Sequence, residues 1–265
     1  MLSNRVWALT PAKIILGGFF LIITAGALLL ALPVSSKSGE FTPLIDAFFT
    51  AASATCVTGL VVHDTYTYWS VFGQSVILLL IQIGGMGVVT LAIAITILSG
   101  RKVGLKQRFV MQESISAPQV GGIVRMTNFI IKGTLVLELI GALIMAVQFC
   151  PQFGILKGLW FSVFHSISAF CNAGFDLMGG TSGLYSSLTS YHSNLLIIIP
   201  VMLLIIIGGI GFFVWDDVIK HRQNGKAFRL QTKVVLTSTF FLILIPAVLF
   251  FFFEFTPQRW AGYSL

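Results

Sequence analysis

The chain has 265 residues, of which 56% are hydrophobic and only 9% are charged. A soluble domain is typically about 45–50% apolar and about 25% charged, so this composition excludes an ordinary soluble protein and indicates a polytopic membrane protein. The formal charge of +7 does not indicate nucleic-acid binding, because the basic residues fall in a few short loops, and the three cysteines are too few for a disulfide framework.

Long apolar segments predict the membrane spans. A spanning helix needs roughly 20 apolar residues, and five segments qualify, at about residues 12–33, 72–98, 129–149, 195–219 and 233–255. The first segment is not predicted to be a cleaved signal peptide, because no small-residue cleavage pattern outweighs Pro33 as the end of a helix.

Lysine and arginine residues in the loops predict the orientation of these spans. They concentrate at the N-terminus and in the stretches 99–128 and 220–233, at Arg5, Lys13, Arg101, Lys102, Lys106, Arg108, Arg125, Lys220, Arg222, Lys226, Arg229 and Lys233. The two intervening connections carry only Lys37 and Lys157. We therefore predict a multi-pass protein of the cell membrane whose N-terminus and basic stretches are cytoplasmic.

Each outer connection contains a shorter apolar run, PLIDAFFTAASA at 43–54 and GLWFSVFHSISAF at 158–170. Runs of about 10–14 apolar residues are typical of buried or re-entrant segments. Re-entrant backbone is tolerated at membrane depth only where protein or a water-filled cavity surrounds it. Each unit is therefore predicted to be an outer helix, a short descending helix, a loop and a second long helix, which is the architecture of a pore loop.

The chain contains an internal repeat. AFFTAASATCVTG at 47–59 aligns without gaps with SVFHSISAFCNAG at 162–174, and IGGMG at 83–87 matches IGGIG at 207–211. The shared residues of the first alignment are Phe49 and Phe164, Ser53 and Ser168, Ala54 and Ala169, Cys56 and Cys171, and Gly59 and Gly174. We predict an all-α polytopic membrane protein with repeated helix–pore loop–helix units around a pseudo-symmetric pore.

The repeat also predicts the domain organisation. Residues 1–100 form the first repeat, 101–128 a cytoplasmic basic connection and 129–221 the second repeat. Residues 222–265 form a cytoplasmic link and the first helix of an incomplete third repeat.

The small residues after each short run predict a site for a dehydrated cation. Backbone carbonyls can supply its oxygen ligands without side-chain charge, and glycine adopts the required positive φ at least cost. The predicted filter residues are Thr55, Cys56, Val57, Thr58, Gly59, Asn172, Ala173 and Gly174. The carbonyls of Val57, Thr58, Asn172 and Ala173 are the expected nearest ligands. The alternative is a tight turn of small residues in an extracellular loop.

At these residues the sequence resembles the Trk/Ktr/HKT superfamily of potassium transporters, most closely the bacterial Ktr-type membrane subunit. TCVTGL, CNAGFD and both GGxG runs carry the resemblance, which covers essentially the whole chain. It implies four repeats around one pore with one glycine per filter loop, so this chain corresponds to the N-terminal half or to a truncated gene model. It also implies gating by an intramembrane loop of the third repeat, which these residues do not contain.

The resemblance implies potassium uptake. In this family a serine in place of the first filter glycine accompanies sodium transport, and Gly59 occupies that position here. The implied partners are a second copy of the membrane subunit and a cytoplasmic ring subunit. Because the nucleotide would bind to that ring, no cofactor is expected in this chain. The implied transported ion is K⁺. The basic stretch 100–119 is either a docking surface for that ring or a simple marker of topology.

Several other residues have two interpretations. The glycines of the second helices are expected to line the inner pore, either for close helix packing or as a kink: Gly84, Gly85, Gly87, Gly208, Gly209 and Gly211. Asp176 either raises the local cation concentration at the outer mouth or is a solvated aspartate. Glu138 is an intramembrane carboxylate with a functional or a structural role. His165 is expected to be a hydrogen-bonded core histidine.

Other classes of function have less support. A sodium-conducting or sodium-coupled transporter of the same superfamily is the first alternative, and a non-conducting membrane scaffold is the second. An intramembrane enzyme would need a nucleophile–base pair or metal ligands, and no H-E-x-x-H spacing occurs among His63, His165, His192 and His221. We therefore do not expect an enzyme.

Overall fold

The computed structural model describes residues 10–87, 90, 92–93, 104–114, 123–181, 183–221 and 227–253. They belong to two compact units, Met1–Gly209 and Ile210–Leu265. Regular structure in these ranges is helical, with an isolated β-bridge between Ser36 and Trp69. The predicted all-α fold class is confirmed.

The helices of the first unit are α1 (Pro11–Ala31), α2 (Leu44–Thr55), α3 (Thr65–Tyr68), α4 (Val71–Met86), α5 (Leu105–Ser114), α6 (Ile123–Phe153), α7 (Ile155–Phe170) and α8 (Leu195–Ile210). The second unit contains α9 (Phe212–Lys220) and α10 (Leu230–Phe253). Proline begins α1, where its missing N–H leaves no helical bond unmade. The Ser70 hydroxyl caps α4 by accepting a hydrogen bond from the Gly73 N–H, at 3.2 Å.

Three helices of the described ranges are long and apolar enough to cross a membrane: α1, residues Arg125–Phe153 of α6, and α10. A fourth crossing is obtained when α8 and α9 are counted together as one interrupted span. Large apolar side chains on these helices are exposed, including Phe20 of α1 and Leu139 of α6. Such surfaces are stable in lipid and not in water, and the chain is a multi-pass membrane protein.

Two of the predicted spans are interrupted by a glycine. Helix α4 ends at Met86 and Gly87 follows with φ +83°, whereas α8 ends at Ile210 and Gly211 follows with φ +91°. An α-helix requires φ near −63°, so neither helix continues through its glycine. The apolar pattern runs through both breaks, which is why it did not predict them.

The basic stretch between the two repeats is partly helical. Helix α5 lies in it, and α6 begins at Ile123, inside the predicted connection 101–128. Arg101 and Lys102 lie outside the described residues, as do the side chains of Lys106 and Arg108.

The two short apolar runs form helices that do not reach across a bilayer. Helix α2 has 12 residues and α7 has 16, whereas a span needs roughly 20. Helix α2 packs on α1, and α7 packs on α6. Each short helix is therefore supported by the long helix that precedes it in the chain.

Helix α4 connects the two copies, since it packs against α1 and α2 of the first and α7 of the second. Gln74 of α4 is buried and uses both ends of its amide. Its Nε2 donates to the Trp69 carbonyl at 3.0 Å, and its Oε1 accepts from Trp160 Nε1 of α7 at 2.8 Å. A buried amide with both ends paired fixes the relative position of α4 and α7.

Candidate functional site

Helix α2 ends in a Schellman turn that starts the first glycine loop, residues 56–60. The Thr58 N–H bonds to the Ser53 carbonyl at 2.9 Å, and the Val57 N–H bonds to the Ala54 carbonyl at 3.3 Å. These bonds use helical carbonyls that would otherwise have no partner. Val57 has φ +57°, which is an outlier for a β-branched residue. The strain of about 1–3 kcal/mol at such a position persists only where the surroundings impose it.

Helix α7 ends in the same turn, which starts the second glycine loop, residues 171–175. The Ala173 N–H bonds to the Ser168 carbonyl at 2.8 Å, and the Asn172 N–H bonds to the Ala169 carbonyl at 3.1 Å. Asn172 has φ +58°, a conformation that asparagine tolerates better than valine does. The two loops therefore share their hydrogen bonds and their backbone conformation.

The two glycine loops meet at their glycines. Gly59 has φ +76° and Gly174 has φ +72°. A Cβ placed on Gly59 would lie 2.7 Å from the Ala173 carbonyl oxygen and 3.3 Å from the Gly174 Cα, and a Cβ on Gly174 would lie 3.3 Å from the Gly59 Cα. The backbone angle thus favours glycine at both positions, and at Gly59 the close approach of a main-chain oxygen also requires it.

The remaining predicted filter residues differ in exposure. Thr55, the last residue of α2, is fully buried and its hydroxyl has no partner in the described residues. Cys56 and Thr58 are exposed, Cys171 and Ala173 are buried, and Asn172 is exposed. Each loop therefore has an exposed part, at Cys56 and Thr58 or at Asn172, and is backed by buried residues.

The glycine runs pack against the ends of the short helices. A Cβ on Gly84 would overlap the carbonyl oxygen of Thr55, and one on Gly208 would overlap the carbonyl oxygen of Phe170. Thr55 and Phe170 are the last residues of α2 and α7. The same contact thus occurs in both copies, because small residues let helices approach closely.

The second and third glycines of each run have other surroundings. A Cβ on Gly85 would overlap the Cys171 side chain, whereas one on Gly209 would lie 3.8 Å from the Asn172 amide nitrogen. Gly87 and Gly211 follow the ends of α4 and α8. The packing and kink interpretations therefore apply to different glycines of the same run.

Asp176 follows the second glycine loop and is partly buried. Its carboxylate accepts a hydrogen bond from the Met178 N–H at 2.8 Å. Burial raises the pKa of Asp176 above its ordinary value, the bond from Met178 opposes this, and the carboxylate of Asp64 adds to the rise. Asp176 lines a cavity of about 240 Å³ together with Asn172 and Gly174, which places an anionic group beside the loop.

His165 of α7 is a core histidine, as expected. Its Nδ1 donates to the Phe161 carbonyl at 2.7 Å, and its Nε2 accepts from the Leu177 N–H at 3.3 Å. These bonds define a neutral ring with both nitrogens paired. The ring therefore holds the chain after the second glycine loop against α7.

The intramembrane carboxylate of Glu138 has a polar partner. The Gln82 amide of α4 donates to both carboxylate oxygens, at 3.0 and 3.2 Å, and the Ser166 hydroxyl donates to the Glu138 carbonyl at 2.6 Å. Glu138 thus joins α6 to α4 and to α7. This geometry supports the structural interpretation of Glu138.

The two connections that the sequence predicts to be outer meet at buried Asp64. Its Oδ1 accepts from the N–H groups of Tyr66 and Thr67, at 3.1 and 2.8 Å, and its Oδ2 accepts from the Tyr185 N–H at 3.1 Å. The Tyr185 hydroxyl donates in turn to the Val62 carbonyl at 3.0 Å. Nothing in the residue pattern had indicated this connection, because its partners are far apart in the chain.

Replacing Asp64 with alanine should destabilise the protein by about 2 kcal/mol, because a helix cap and a contact between these two connections are lost together. Thermal unfolding of the detergent-solubilised protein measures the change. Asp46→Ala is the matched control, since that carboxylate is partly exposed and, in the part of the chain that the structure describes, pairs only with His63, at 3.0 Å. Equal loss in both variants would contradict the prediction.

The fold and these contacts define an all-helical, multi-pass membrane protein in which two similar short helices end at paired glycine loops. The sequence profile of the TrkH family, described as a cation transport protein, matches residues 12–258. The chain therefore belongs to the TrkH family of cation transport proteins, and the resemblance found in the sequence is confirmed.

Individual relatives agree with this assignment. Ktr system potassium uptake protein B of Bacillus subtilis is 45% identical over 256 residues, which cover 96% of this chain and 55% of that protein. Potassium/sodium uptake protein NtpJ of Enterococcus hirae is 41% identical over 246 residues, 93% of this chain and 53% of that protein. Ktr system potassium uptake protein B of Vibrio alginolyticus is 36% identical over 243 residues, 91% of this chain and 52% of that protein. The chain spans about half the length of these curated relatives.

Proposed function

We propose that this chain forms part of a potassium uptake protein, in which backbone carbonyls of the two glycine loops bind dehydrated K⁺. The observation that carries the proposal is the meeting of two loops with the same hydrogen bonds and the same positive φ angles at Gly59 and Gly174. A tight turn in an extracellular loop would need neither the match nor the contact. The names of the relatives support the ion.

The proposed ligands are the carbonyls of Val57, Thr58, Asn172 and Ala173. Peptide oxygens can replace the hydration shell of K⁺ without fixed charge. Two loops surround an ion only in part, so further loops are needed, from a longer chain or from a second copy. The same proposal includes three further predictions from the sequence. These are the domain limits given by the repeat, the re-entrant course of α2 and α7, and the pore-lining position of the glycine runs.

Sodium transport is the second candidate, because one relative is named a potassium/sodium uptake protein. A glycine at position 59 favours potassium, since a larger ion needs a wider ring of carbonyls and no side chain intrudes there. A scaffold role would leave the match between the two loops and their contact at Gly59 and Gly174 without a reason.

Complementation tests the proposal. The gene that encodes this chain, expressed at its full length in a bacterium that lacks potassium uptake, should restore growth at low K⁺. Cellular K⁺ and Na⁺ contents, measured over time, distinguish potassium from sodium transport. Membranes with the protein present but no uptake of either ion would contradict a transport function.

Asp176→Asn should raise the KM for K⁺ by about threefold, because a carboxylate at the mouth concentrates cations. The raised pKa of Asp176 means that its charge is lost at less acidic pH than for an ordinary aspartate. On external acidification, wild-type uptake at low K⁺ should therefore fall before an unperturbed aspartate would be protonated, and Asp176→Asn should not show this fall. Glu40→Gln is the control, since Glu40 is exposed. An unchanged KM in Asp176→Asn would count against the role.

The orientation and the partners follow from the same proposal. We place the N-terminus in the cytoplasm. Lys37 and Lys157, from the two predicted outer connections, both lie over the Tyr66 ring, at 3.9 and 4.8 Å from its centroid, which supports one common side for these connections.

We propose a homodimer of the membrane subunit and a cytoplasmic nucleotide-binding ring. Unchanged ring binding after neutralising Arg101, Lys102, Lys106 and Arg108 would exclude docking at that stretch.

A further inference from the structure

A buried serine lies behind each glycine loop. Ser53 of α2 and Ser168 of α7 are 5% and 3% exposed. The Ser53 hydroxyl accepts a hydrogen bond from the Leu60 N–H at 3.0 Å, and the Ser168 hydroxyl donates to the Phe175 carbonyl at 2.6 Å. In both copies the serine thus reaches the residue that directly follows the loop glycine.

The same serine also holds the residue that precedes the glycine. The Ser53 carbonyl accepts from the Thr58 N–H, and the Ser168 carbonyl accepts from the Ala173 N–H. Each glycine is therefore flanked by two residues bonded to one serine, one through its carbonyl and one through its hydroxyl. A glycine has more backbone freedom than any other residue, so such fixed neighbours are what determine its position.

The two serines differ in the direction of the side-chain hydrogen bond. Removing the Ser168 hydroxyl would leave the carbonyl of buried Phe175 without its donor. Removing the Ser53 hydroxyl would leave the N–H of Leu60 without its acceptor, but Leu60 is 58% exposed and Phe175 is 2% exposed. An unpaired buried group costs more than an exposed one, so the second loop depends more strongly on its serine.

From these contacts we infer that Ser53 and Ser168 are positioning residues that set the cation selectivity of the loops, through the backbone on either side of Gly59 and Gly174. The inference rests on the proposed function. Carbonyl spacing decides which ion fits, so loss of a hydroxyl should relax the preference for K⁺ and leave the protein folded. Ordinary core serines should not have this effect.

The test measures the ratio of K⁺ to Na⁺ uptake by the full-length protein at equal membrane abundance. Ser168→Ala should lower the ratio by about tenfold, since loss of one buried partner has that order of effect. Ser53→Ala should lower it by about threefold. Ser168→Thr keeps the hydroxyl and should retain the wild-type ratio.

Ser162→Ala is the matched control. Ser162 is a fully buried serine of the same helix, and its hydroxyl donates to the Gly158 carbonyl at 2.8 Å, away from the loop. The ratio of K⁺ to Na⁺ uptake of Ser162→Ala should equal that of the wild type. A wild-type ratio in Ser168→Ala would overturn the inference. If Ser168→Ala does not accumulate, an unchanged ratio in Ser53→Ala overturns it. A wild-type protein that transports no K⁺ contradicts instead the proposed function.

Discussion

Replacing Gly59 with serine should lower the preference for K⁺ over Na⁺ uptake by about tenfold. A Cβ there would lie 2.7 Å from the Ala173 carbonyl oxygen, closer than carbon and oxygen approach without bonding. The φ of +76° adds a cost of roughly 1–2 kcal/mol for a residue with a Cβ, and 1.4 kcal/mol corresponds to about tenfold. The loop and the facing carbonyl must therefore shift, and the new spacing no longer favours the larger ion. Uptake of both ions by the full-length protein measures the effect.

Gly39→Ser is the matched control for this substitution. Gly39 has nearly the same backbone angle, φ +73°, but among the described residues no atom beyond its chain neighbours lies within 4 Å of a Cβ placed there. It carries the backbone cost without the collision. If Gly39→Ser changed the ion preference as much as Gly59→Ser, the contact between the loops would not be the cause.

Replacing Gly208 with alanine should destabilise the protein by about 3 kcal/mol, the upper range for overpacking a core. Its Cβ would overlap the Phe170 carbonyl oxygen, which is main chain and cannot turn aside as a side chain can. The backbone at the end of α7 or the backbone of α8 must therefore move so that the two helices separate. Thermal unfolding in detergent and the fraction of monodisperse protein measure the loss.

The neighbouring glycine provides the comparison. Outside its own helix, the nearest described atom to a Cβ on Gly209 is the Asn172 amide nitrogen, at 3.8 Å, which is an ordinary contact. Gly209→Ala should therefore keep nearly the wild-type stability, and alanine should even favour the helix slightly. If both variants unfolded at the same temperature, close packing at Gly208 would not be the reason for its glycine.

Most of the helical architecture could be predicted from apolar length alone. The short runs at 43–54 and 158–170 coincide closely with α2 and α7, because length distinguishes them from spans. The repeat indicated that Gly59 and Gly174 have equivalent positions, and the structure brings them into contact. Their assignment as filter residues remains a prediction.

Other features depend on tertiary packing and have no signature in a local pattern. Gly87 and Gly211 interrupt apolar runs that look continuous. Positive φ at Val57 contradicts the preference of a β-branched residue, so its position is imposed by the turn. Gln82 and Glu138 pair across two helices that are far apart in the chain. Ser53 and Ser168 were aligned in the repeat, but their bonds to the far side of each loop become visible only in the folded chain.

The contact between Gly59 and Gly174 makes the two positions epistatic. A Cβ on either one would approach the Cα of the other to 3.3 Å, so both draw on the same small volume. Residues in contact show interaction energies of about 0.5–3 kcal/mol. The free-energy cost of a side chain at one of these two positions therefore depends on which residue occupies the other. The two copies of the repeat are therefore not free to diverge separately at this point, and a substitution in one changes which substitutions the other can accept.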